Sequence, residues 1–478
     1  MVGLTKTIGV LNLQGAVREH IRALEKIGVE AVSVKKEGAL LPGERLPSER
    51  KLAESLGVNR STVIRALEEL TAQGVLVRRK GSGTFVNANK WNLQTKPLVN
   101  WGISPENELL YKPTVYETAA ACRRADSSSS ILDLSKGVLP PDLLPDLEIP
   151  SLHWNELVEQ EIRQSSSHSG IHSLKESVQM YMKKSYQMTV PLEEIMITSG
   201  TQNALFLITQ GLFKPGDAVG IEAPSYFYSL RLFQAAGLRI VPIPMDAEGM
   251  TVKGLQEASL KYPLKMVFLN PIFQNPTGLV MSPRRKAEIL EYCLMKRIPI
   301  VEDDAYGTLS FDPDLDNRPL KMLDQNQQVI YLGTLSKLAG RHLRIGWMVG
   351  PEAILRNLSS IRAQIDSDLS FLPQFMADHF LRHQMDQYQD NIIRELRLRS
   401  SEMEKWLRET YGDKVNFTRA KGGFHLYCRL KDPEPGATDS FLTQLLNQGV
   451  IVTEGRRFGS QTDGFRLSFV NYPVEKSD

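Results

Sequence analysis

The sequence predicts an α/β protein in which an N-terminal winged helix-turn-helix precedes a large domain with a mostly parallel sheet. Residues 39–90 show helical patterns, are basic, and end in a glycine-containing hairpin. From residue 131 to the end, strand-like apolar runs alternate with helical patterns, which is typical of a parallel sheet covered by helices. Residues 91–130 have weak periodicity, several prolines and a serine run, which together indicate a linker.

Composition limits the class of protein further. The 478 residues suggest about two to four domains, and a formal net charge of only +2 means that any basic, nucleic-acid-binding surface must be local. Cys122, Cys293 and Cys428 are scattered and match neither a disulfide framework nor a metal site, which indicates a reducing compartment. No apolar run reaches the ~18 residues of a membrane span, and no signal-peptide pattern begins the chain. We therefore expect a cytoplasmic protein.

Residues 1–38 begin the chain with a short α/β pattern. Residues 8–13 form an apolar run that predicts a buried strand, and residues 16–27 have helical periodicity. Residues 30–35 alternate like a second strand. The expected order is strand, helix, strand.

Residues 42–90 concentrate positive charge, with nine Lys or Arg against five Asp or Glu. Ser48 is predicted to cap a helix that runs to about residue 56. After the short turn Gly57-Val58, Asn59 or Ser61 caps a second helix, which reaches about residue 73 before Gly74 ends it. Two short helices across a tight turn form a helix-turn-helix, whose second helix enters the major groove of DNA.

Residues 76–86, LVRRKGSGTFV, predict two short strands around a glycine turn, a wing that can lie along a DNA backbone or minor groove. For the helices alone, a solvated helical pair is the competing interpretation. The whole segment LPGERLPSERKLAESLGVNRSTVIRALEELTAQGVLVRRKGSGTFV resembles the winged-helix domain of the GntR family of bacterial repressors. The resemblance implies that the DNA contacts are Arg45, Ser48, Arg50, Arg60, Ser61, Thr62, Arg65 and Gly83.

The large domain combines predicted strands over 218–222, 266–270, 298–302 and 329–332 with four polar motifs. TSGTQN (198–203) lies between a strand and a helix, where exposed backbone N–H groups make an anion cradle. NPIFQNPTG (270–278) follows an apolar strand. VEDDAY (301–306) places carboxylates at the carboxyl end of a strand, where open α/β sheets bind their ligands. The last motif, GTLSK (333–337), is followed by Arg344.

These residue types are the ones that pyridoxal phosphate requires. A lysine amine forms a Schiff base with it, and a carboxylate keeps its pyridine nitrogen protonated so that the ring acts as an electron sink. Its phosphate needs hydroxyls, backbone N–H groups and an arginine. In this order, the motifs resemble the fold-type I, aspartate aminotransferase-like family over roughly residues 131–478.

The resemblance assigns a role to each site residue. It implies that Lys337 is the Schiff-base lysine, that Asp303 pairs with the pyridine nitrogen, and that Tyr306 and Asn275 contact the ring hydroxyl. Tyr226 would lie against the ring. The residues that would hold the phosphate are Gly200, Thr201, Thr334, Ser336 and Arg344. Arg466, in GFRLSF, would take an effector or substrate carboxylate.

Several nearby residues have a simpler interpretation. We interpret Asp304 as a solvated neighbour of the functional acid, and Arg466 has the alternative of a surface arginine on a strand. The histidines show no metal-ligand spacing. His379 and His383 stand four apart on a predicted helix without a third ligand, and we treat them, with His168 and His172, as structural.

A GntR-type winged helix joined by a linker to an aminotransferase-like domain resembles the MocR subfamily of regulators. The resemblance implies a homodimer that binds promoter DNA and whose second domain senses an effector. That effector is pyridoxal phosphate itself or an amino compound that reacts with the bound cofactor. Bound ligand must differ in affinity for two arrangements of the dimer if it is to shift DNA binding.

Residues 6–36, KTIGVLNLQGAVREHIRALEKIGVEAVSVKK, resemble the start of the glutaminase subunit of pyridoxal phosphate synthase. The catalytic residues of that enzyme lie later in its family and have no counterpart in this chain, so glutaminase activity is not predicted. A junction of these sequences arises most easily between neighbouring genes, which suggests a regulator of vitamin B6 synthesis genes. A regulator that responds to gamma-aminobutyrate or another amino compound, an aminotransferase with a residual transaminase half-reaction, and a cofactor carrier remain alternatives.

Overall fold

A computed structural model describes residues 45–72, 74–79, 81–87, 114–125, 131–147, 153–164, 168–366, 369–431, 433–434, 436–459 and 464–474, with the backbone of Thr7–Leu11 and Glu30–Val34. The chain divides into two compact units, Met1–Asn107 and Glu108–Asp478. The helix predicted over 16–27, and residues 91–113 and 126–130 of the predicted linker, lie outside the described residues.

Strands β1 (Thr7–Leu11) and β2 (Glu30–Val34) pair in parallel, with Thr7 opposite Glu30 and Leu11 opposite Val34. Both strands predicted for this segment are therefore present in the backbone, each ending one or two residues earlier than the pattern indicates.

The winged helix-turn-helix has helices α1 (Glu49–Leu56) and α2 (Arg60–Ala72) and strands β3 (Leu76–Arg79) and β4 (Gly83–Val86). Ser48 caps α1 as predicted, because its hydroxyl accepts a hydrogen bond from the Lys51 N–H at 3.4 Å. Gly57 ends that helix with a φ of 63°, a conformation that favours glycine. Asn59 precedes α2 and its side chain accepts the Ser61 N–H at 3.2 Å.

A small apolar core holds the helices against the wing. Val63 and Leu67, four residues apart on α2, are buried with Leu76 of β3 and Val86 of β4. Because residues at this spacing share one face of a helix, α2 buries one side and leaves its first turn exposed.

Helix α3 (Val115–Ala125) lies within the predicted linker and belongs to the second unit. Ala120 is buried against Leu446 and Ile451, and the Tyr116 hydroxyl accepts the Val452 N–H at 2.9 Å. Part of the segment that resembles a linker in sequence is therefore a packed helix.

The second unit is built on an eight-stranded sheet in the order β6-β13-β12-β11-β10-β7-β8-β9. Its strands are β6 (Ile195–Thr198), β7 (Ala218–Ala223), β8 (Arg239–Asp246), β9 (Gly249–Met250), β10 (Leu264–Leu269), β11 (Ile300–Asp304), β12 (Val329–Thr334) and β13 (Gly346–Val349). Strands β13 and β9 run antiparallel to their neighbours, and the other six strands run in one common direction. The four strands that the sequence predicts for this sheet are thus confirmed to within two residues at each end.

Eleven further helices lie in the described part of the second unit, some between strands of the large sheet and others before or after it in the chain. They are α4 (Trp154–Gln164), α5 (His172–Tyr186), α6 (Thr201–Gly211), α7 (Leu232–Ala235), α8 (Val252–Lys261), α9 (Pro283–Lys296), α10 (Leu320–Leu323), α11 (Glu352–Ile365), α12 (Phe371–His383), α13 (Met385–Tyr411) and α14 (Ala437–Asn447). Two further strands, β5 (Leu132–Asp133) and β16 (Val450–Ile451), pair in parallel.

A smaller antiparallel sheet in the order β14-β15-β18-β17 follows α13 in the chain. Its strands are β14 (Val415–Phe417), β15 (His425–Leu430), β17 (Thr453–Glu454) and β18 (Phe465–Ser468). Separate apolar cores lie on the two faces of the large sheet, so its central strands are buried on both sides. Within the described ranges, no helix is both long and apolar enough to cross a membrane.

Candidate functional site

A cavity of about 240 Å³ lies at the carboxyl ends of β6, β10, β11 and β12. All the residues that the sequence assigns to cofactor binding line it. They are Gly200, Thr201, Tyr226, Asn275, Asp303, Tyr306, Thr334, Ser336, Lys337 and Arg344. These residues converge because the four strands run in parallel and therefore end at the same edge of the sheet.

Asp303 is buried at the end of β11, and one of its carboxylate oxygens has no hydrogen-bond partner among the residues that the structure describes. Its other oxygen accepts a hydrogen bond from the Tyr226 hydroxyl. Burial, and then the neighbouring charge of Asp304, raise the pKa of Asp303 to about 7, and Lys337 opposes the shift. A protonated ring nitrogen is the partner that would satisfy this oxygen and hold the carboxylate ionised.

Lys337 follows β12 and its Nζ donates a hydrogen bond to the Gly137 carbonyl at 2.7 Å. The ammonium lies 5.4 Å from the centre of the Tyr306 ring. Burial and the charge of Arg466 lower the pKa of Lys337 to about 8, against the attraction of Asp303. An amine in this setting is a far better nucleophile at neutral pH than an exposed lysine.

The other end of the cavity suits a phosphate. Gly200 has a φ of 85° and directly precedes α6, whose first N–H groups carry the positive end of the helix dipole. Thr334 and Ser336 present hydroxyls 3.1 Å apart. Arg344 lines the same cavity and is exposed. Lysine, carboxylate and anion cradle thus occur together in the arrangement that pyridoxal phosphate needs, and the residues present fit the group.

Arg466 lies beside this cavity on β18 and does not line it. Its guanidinium donates to the Asn275 side-chain oxygen at 2.8 Å and to the Ser135 carbonyl at 2.7 Å. The side chain is only 8% exposed, so the alternative of a surface arginine is wrong. A carboxylate role stays a prediction, supported by the direct bond to Asn275.

Asp304 is not a solvated neighbour, and that interpretation is wrong. It is buried and accepts hydrogen bonds from the Tyr186 hydroxyl at 2.6 Å, the Tyr331 hydroxyl at 2.9 Å and the Gly307 N–H at 2.8 Å. Successive side chains of a strand point to opposite faces, so Asp303 faces the cavity while Asp304 enters the core on the other side. Burial raises the pKa of Asp304, and its tyrosine partners oppose the shift.

We expect Asp304→Ala to lower the free energy of unfolding by about 3 kcal/mol, because it leaves buried tyrosine hydroxyls without an acceptor. The measurement is the urea midpoint, followed by far-ultraviolet circular dichroism. Asp314→Ala is the matched control, since Asp314 lies on the surface of the same unit. Equal midpoints for the two variants would contradict a structural role for Asp304.

The lowered pKa of Lys337 predicts how fast the protein captures free pyridoxal phosphate at different pH values. With a pKa of about 8, the Lys337 amine is neutral in roughly a tenth of the molecules at pH 7. This fraction falls about tenfold for each pH unit below 7. The capture rate should therefore rise with pH and level off above pH 8. Free Nα-acetyl-lysine is the reference, and its rate should keep rising toward its pKa of about 10.4. A plateau shared by both would contradict the shift.

The sequence did not identify four polar residues of or beside the cavity. Gln202, Asn270 and Arg341 line it, and His425 contacts Tyr306 from behind. The Asn270 amide donates to the Asp303 carbonyl, and its oxygen accepts the Asn275 N–H at 2.7 Å. A polar residue at the end of an apolar strand was the available signal for Asn270, whereas His425 lies on a distant strand and had none.

The winged helix exposes every residue predicted to contact DNA, which are Arg45, Ser48, Arg50, Arg60, Ser61, Thr62, Arg65 and Gly83. Glu49 pairs with Arg60 at 3.3 Å and with Arg78 of the wing at 3.5 Å. A Cβ atom on Gly83, whose φ is 113°, would lie 2.9 Å from the Arg45 Nε. The backbone of the wing therefore packs directly against the Arg45 side chain.

His379 and His383 have ring centres 4.8 Å apart on α12. Among the described residues, no group of three or more His, Cys, Asp or Glu side chains is arranged to hold a metal ion.

Fold and site together define a protein that joins a winged-helix DNA-binding module to an aminotransferase-like domain. The model of the aminotransferase class I and II family matches residues 130–477, and the model of the bacterial regulatory proteins of the gntR family matches residues 36–86.

The chain is 33% identical to the HTH-type transcriptional regulator YdfD of Bacillus subtilis, over 91% of this chain and 89% of that protein. It is 31% identical to aromatic-amino-acid aminotransferase 1 of Thermococcus litoralis, over 73% and 86%. The crystal structure of Pyrococcus horikoshii kynurenine aminotransferase has a TM-score of 0.66 at 27% identity, covering 77% of this chain and 92% of that one. The chain belongs to the family of HTH-type transcriptional regulators that join a GntR domain to an aminotransferase class I and II domain.

Proposed function

We propose that this chain is a transcription regulator of the MocR subfamily, in which the second unit binds pyridoxal phosphate and thereby controls the binding of promoter DNA in the cytoplasm. One observation carries the proposal. The cavity combines a lysine of lowered pKa with a buried carboxylate, one oxygen of which is unpartnered within the described part of the chain, and the same chain carries an exposed basic winged helix.

The side chains of the cavity would hold the cofactor in one orientation. The Lys337 amine attaches it, Asp303 pairs with its ring nitrogen, and Tyr306 and Asn275 contact its ring oxygen. Tyr226 lies against the ring. The phosphate contacts are Gly200, Thr201, Thr334, Ser336 and Arg344. When bound, the cofactor supplies an electrophilic carbon and an electron sink for amino compounds. Arg466 would bind the carboxylate of such a compound, and its hydrogen bond to Asn275 supports this role.

The first turn of α2 would read base edges in the major groove. Arg60, Ser61 and Thr62 are exposed there, and arginine commonly recognises guanine through two hydrogen bonds. Gly83 of the wing, and Arg45 packed against it, would contact the DNA backbone, since backbone contacts position a protein without reading sequence.

The active regulator would be a homodimer. Trp154 and Ile162 share one face of α4, eight residues apart, and are 74% and 73% exposed. Large apolar side chains exposed together on one helix mark an interaction surface, and a second copy of the chain is the partner that we propose. A two-fold dimer would bind two DNA half-sites.

The target that we propose is the promoter of vitamin B6 synthesis genes. Support for it comes only from residues 6–36, whose resemblance to a pyridoxal phosphate synthase subunit points to neighbouring genes. The effector would then be pyridoxal phosphate. A promoter controlled by gamma-aminobutyrate or another amino compound is the alternative target.

Fluorescence anisotropy tests the proposal directly. Labelled promoter DNA of vitamin B6 synthesis genes is titrated with the full chain, with and without pyridoxal phosphate, and with unrelated DNA of equal length as control. We expect specific binding whose affinity changes at least about tenfold with the cofactor, a coupling of about 1.4 kcal/mol. Specific binding that ignores the cofactor would overturn the sensor role, and binding to another promoter would overturn the vitamin B6 target alone.

A second candidate function is transamination of an amino acid. The buried Arg466 beside Asn275 favours it, because a carboxylate-binding arginine next to the cofactor cavity suits an amino acid substrate. Turnover with an amino donor and a keto acceptor separates the candidates. An enzyme turns over many times, a regulator performs at most a half-reaction, and a carrier of the cofactor neither turns over nor binds DNA.

A further inference from the structure

His425 lies behind the cofactor cavity and links two strands of the small sheet to Tyr306. Its Nε2 atom is 3.0 Å from the Tyr306 hydroxyl, and its Nδ1 atom is 3.1 Å from the Ser468 hydroxyl. His425 and Ser468 are direct partners across β15 and β18, so their side chains leave the sheet on the same face. All three side chains are buried.

The surrounding backbone fits closely around His425. A Cβ atom on Gly137 would lie 2.7 Å from the His425 Cε1, and one on Gly278 would lie 3.0 Å from the His425 carbonyl oxygen. The Gly137 carbonyl in turn accepts the hydrogen bond from the Lys337 Nζ. The ring of His425 is therefore held in place beside the two groups of the cavity that act on the cofactor, Tyr306 and Lys337.

The imidazole is neutral at physiological pH. Burial, and then the charges of Arg466 and Lys337, hold the pKa of His425 well below its usual value. The other groups that face it, the hydroxyls of Tyr306 and Ser468, are uncharged, since burial raises the pKa of Tyr306 far above neutrality. A neutral imidazole has one N–H donor and one acceptor nitrogen. The hydrogen bonds that join Ser468, His425 and Tyr306 must therefore all point the same way, either from Ser468 toward Tyr306 or the reverse.

Ser468 decides that direction. Its side chain is completely buried, and among the described residues His425 Nδ1 is the partner of its hydroxyl. If Nδ1 carried the proton, the serine hydrogen would be left without an acceptor in the core, which costs about 1–3 kcal/mol. If Nε2 carries the proton, the serine donates to Nδ1 and the imidazole donates to the Tyr306 oxygen. The tyrosine hydrogen is then directed into the cavity, where a ligand or water can accept it.

We propose that Ser468 and His425 are positioning residues. Their hydrogen bonds form a relay that orients the Tyr306 hydroxyl so that it donates its hydrogen to the ring oxygen of the cofactor. The inference rests on the proposed binding of pyridoxal phosphate and adds to it two residues on distant strands. Donation from His425 polarises the Tyr306 hydroxyl and makes it a stronger donor, since hydrogen bonds in a chain reinforce one another.

The relay has a spectroscopic consequence with a definite sign. A stronger donor at the ring oxygen makes that oxygen less basic, so the lysine-linked cofactor loses its proton at a lower pH. Removing the relay should raise the pH at which the visible absorbance of the lysine-bound cofactor changes. The opposite direction of hydrogen bonding predicts the opposite sign, because removing His425 would then free the Tyr306 proton for the ring oxygen.

The experiment is a pH titration of this absorbance in the full-length chain loaded with pyridoxal phosphate. Tyr306→Phe should raise the transition most, Ser468→Ala and His425→Phe by a smaller amount, on the order of a few tenths of a pH unit. His425→Gln retains an N–H donor, so its transition should lie between those of His425→Phe and the wild type. Ser177→Ala, a buried serine of α5 away from the cavity, is the matched control and should leave the transition unchanged.

Unchanged transitions in both Ser468→Ala and His425→Phe, or a downward shift in either, overturn the relay. Two-bond proton–nitrogen correlation spectra of the histidine-labelled chain, assigned with His425→Gln, provide a readout that needs no cofactor. The proposal requires a protonated Nε2 and an unprotonated Nδ1, and the reverse tautomer overturns it. If the wild-type chain shows no visible band, the proposed cofactor binding fails, and the spectra still decide the direction of the relay.

Discussion

Lys337→Ala should abolish the visible absorbance of the cofactor-loaded protein and reduce retention of pyridoxal phosphate on gel filtration at least about tenfold. The amine that attaches the cofactor is lost, while Asp303 and the phosphate cradle stay in place. The response of DNA binding to pyridoxal phosphate should be lost as well. Affinity for DNA without the cofactor should equal that of the wild type, because the substitution lies in the second unit.

Lys175→Ala is the matched control for that experiment. Lys175 is also a buried lysine whose pKa is lowered by burial, but it lies on α5 and does not line the cavity. This variant should keep the absorbance band. A band that survives in Lys337→Ala and disappears in Lys175→Ala would identify Lys175 as the attachment site and refute our assignment.

Arg60→Ala should weaken specific DNA binding about 5- to 150-fold, which corresponds to the loss of one bidentate base contact of about 1–3 kcal/mol. The Arg60 side chain is 64% exposed on the first turn of α2 and is oriented by Glu49. Anisotropy titrations with promoter DNA and with unrelated DNA measure the effect. The loss should be much smaller for unrelated DNA, since base readout contributes nothing to non-specific binding.

Arg163→Ala controls for the simple loss of a positive charge. Arg163 is 75% exposed on α4 and pairs with Glu159, in an ion pair of the same kind within the second unit. An equal loss of affinity on both DNAs for Arg60→Ala would identify Arg60 as a phosphate contact. The slope of log affinity against log salt concentration would then be smaller by about one. Wild-type affinity in Arg60→Ala would show that α2 does not read the operator.

Local sequence predicted most of the fold of both units. The N-cap of Ser48, the glycine after each helix of the winged module and the apolar runs of the large sheet depend on neighbours within a few residues. Such signals remain readable without tertiary structure. Helix α3 was missed because prolines and serines around it resemble a linker, while its stability comes from packing against Leu446 and Ile451.

The site could be predicted wherever a motif sits at the end of a strand. Most residues of the cavity lie on such motifs, namely Gly200, Thr201, Asn275, Asp303, Tyr306, Thr334, Ser336 and Lys337, and parallel strands bring their ends together. Asp304 was misread because its partners are far away in the chain, with Tyr186 118 residues before it. Strand β11 is buried on both faces, so its two adjacent aspartates lie in different environments. The sequence of one strand does not show that both of its faces are covered.

What the sequence by itself determined is the kind of protein: a basic winged helix followed by an α/β unit whose motifs match one cofactor. The tertiary structure alone decided which polar side chains are partners. Ser468, His425 and Tyr306 come from two strands and a loop separated by up to 162 positions (468 − 306), and they meet only when the small sheet packs beside the large one. Hydrogen bonds between such distant groups leave no periodic pattern, because their geometry depends on the packing of entire elements and on the low dielectric that burial creates.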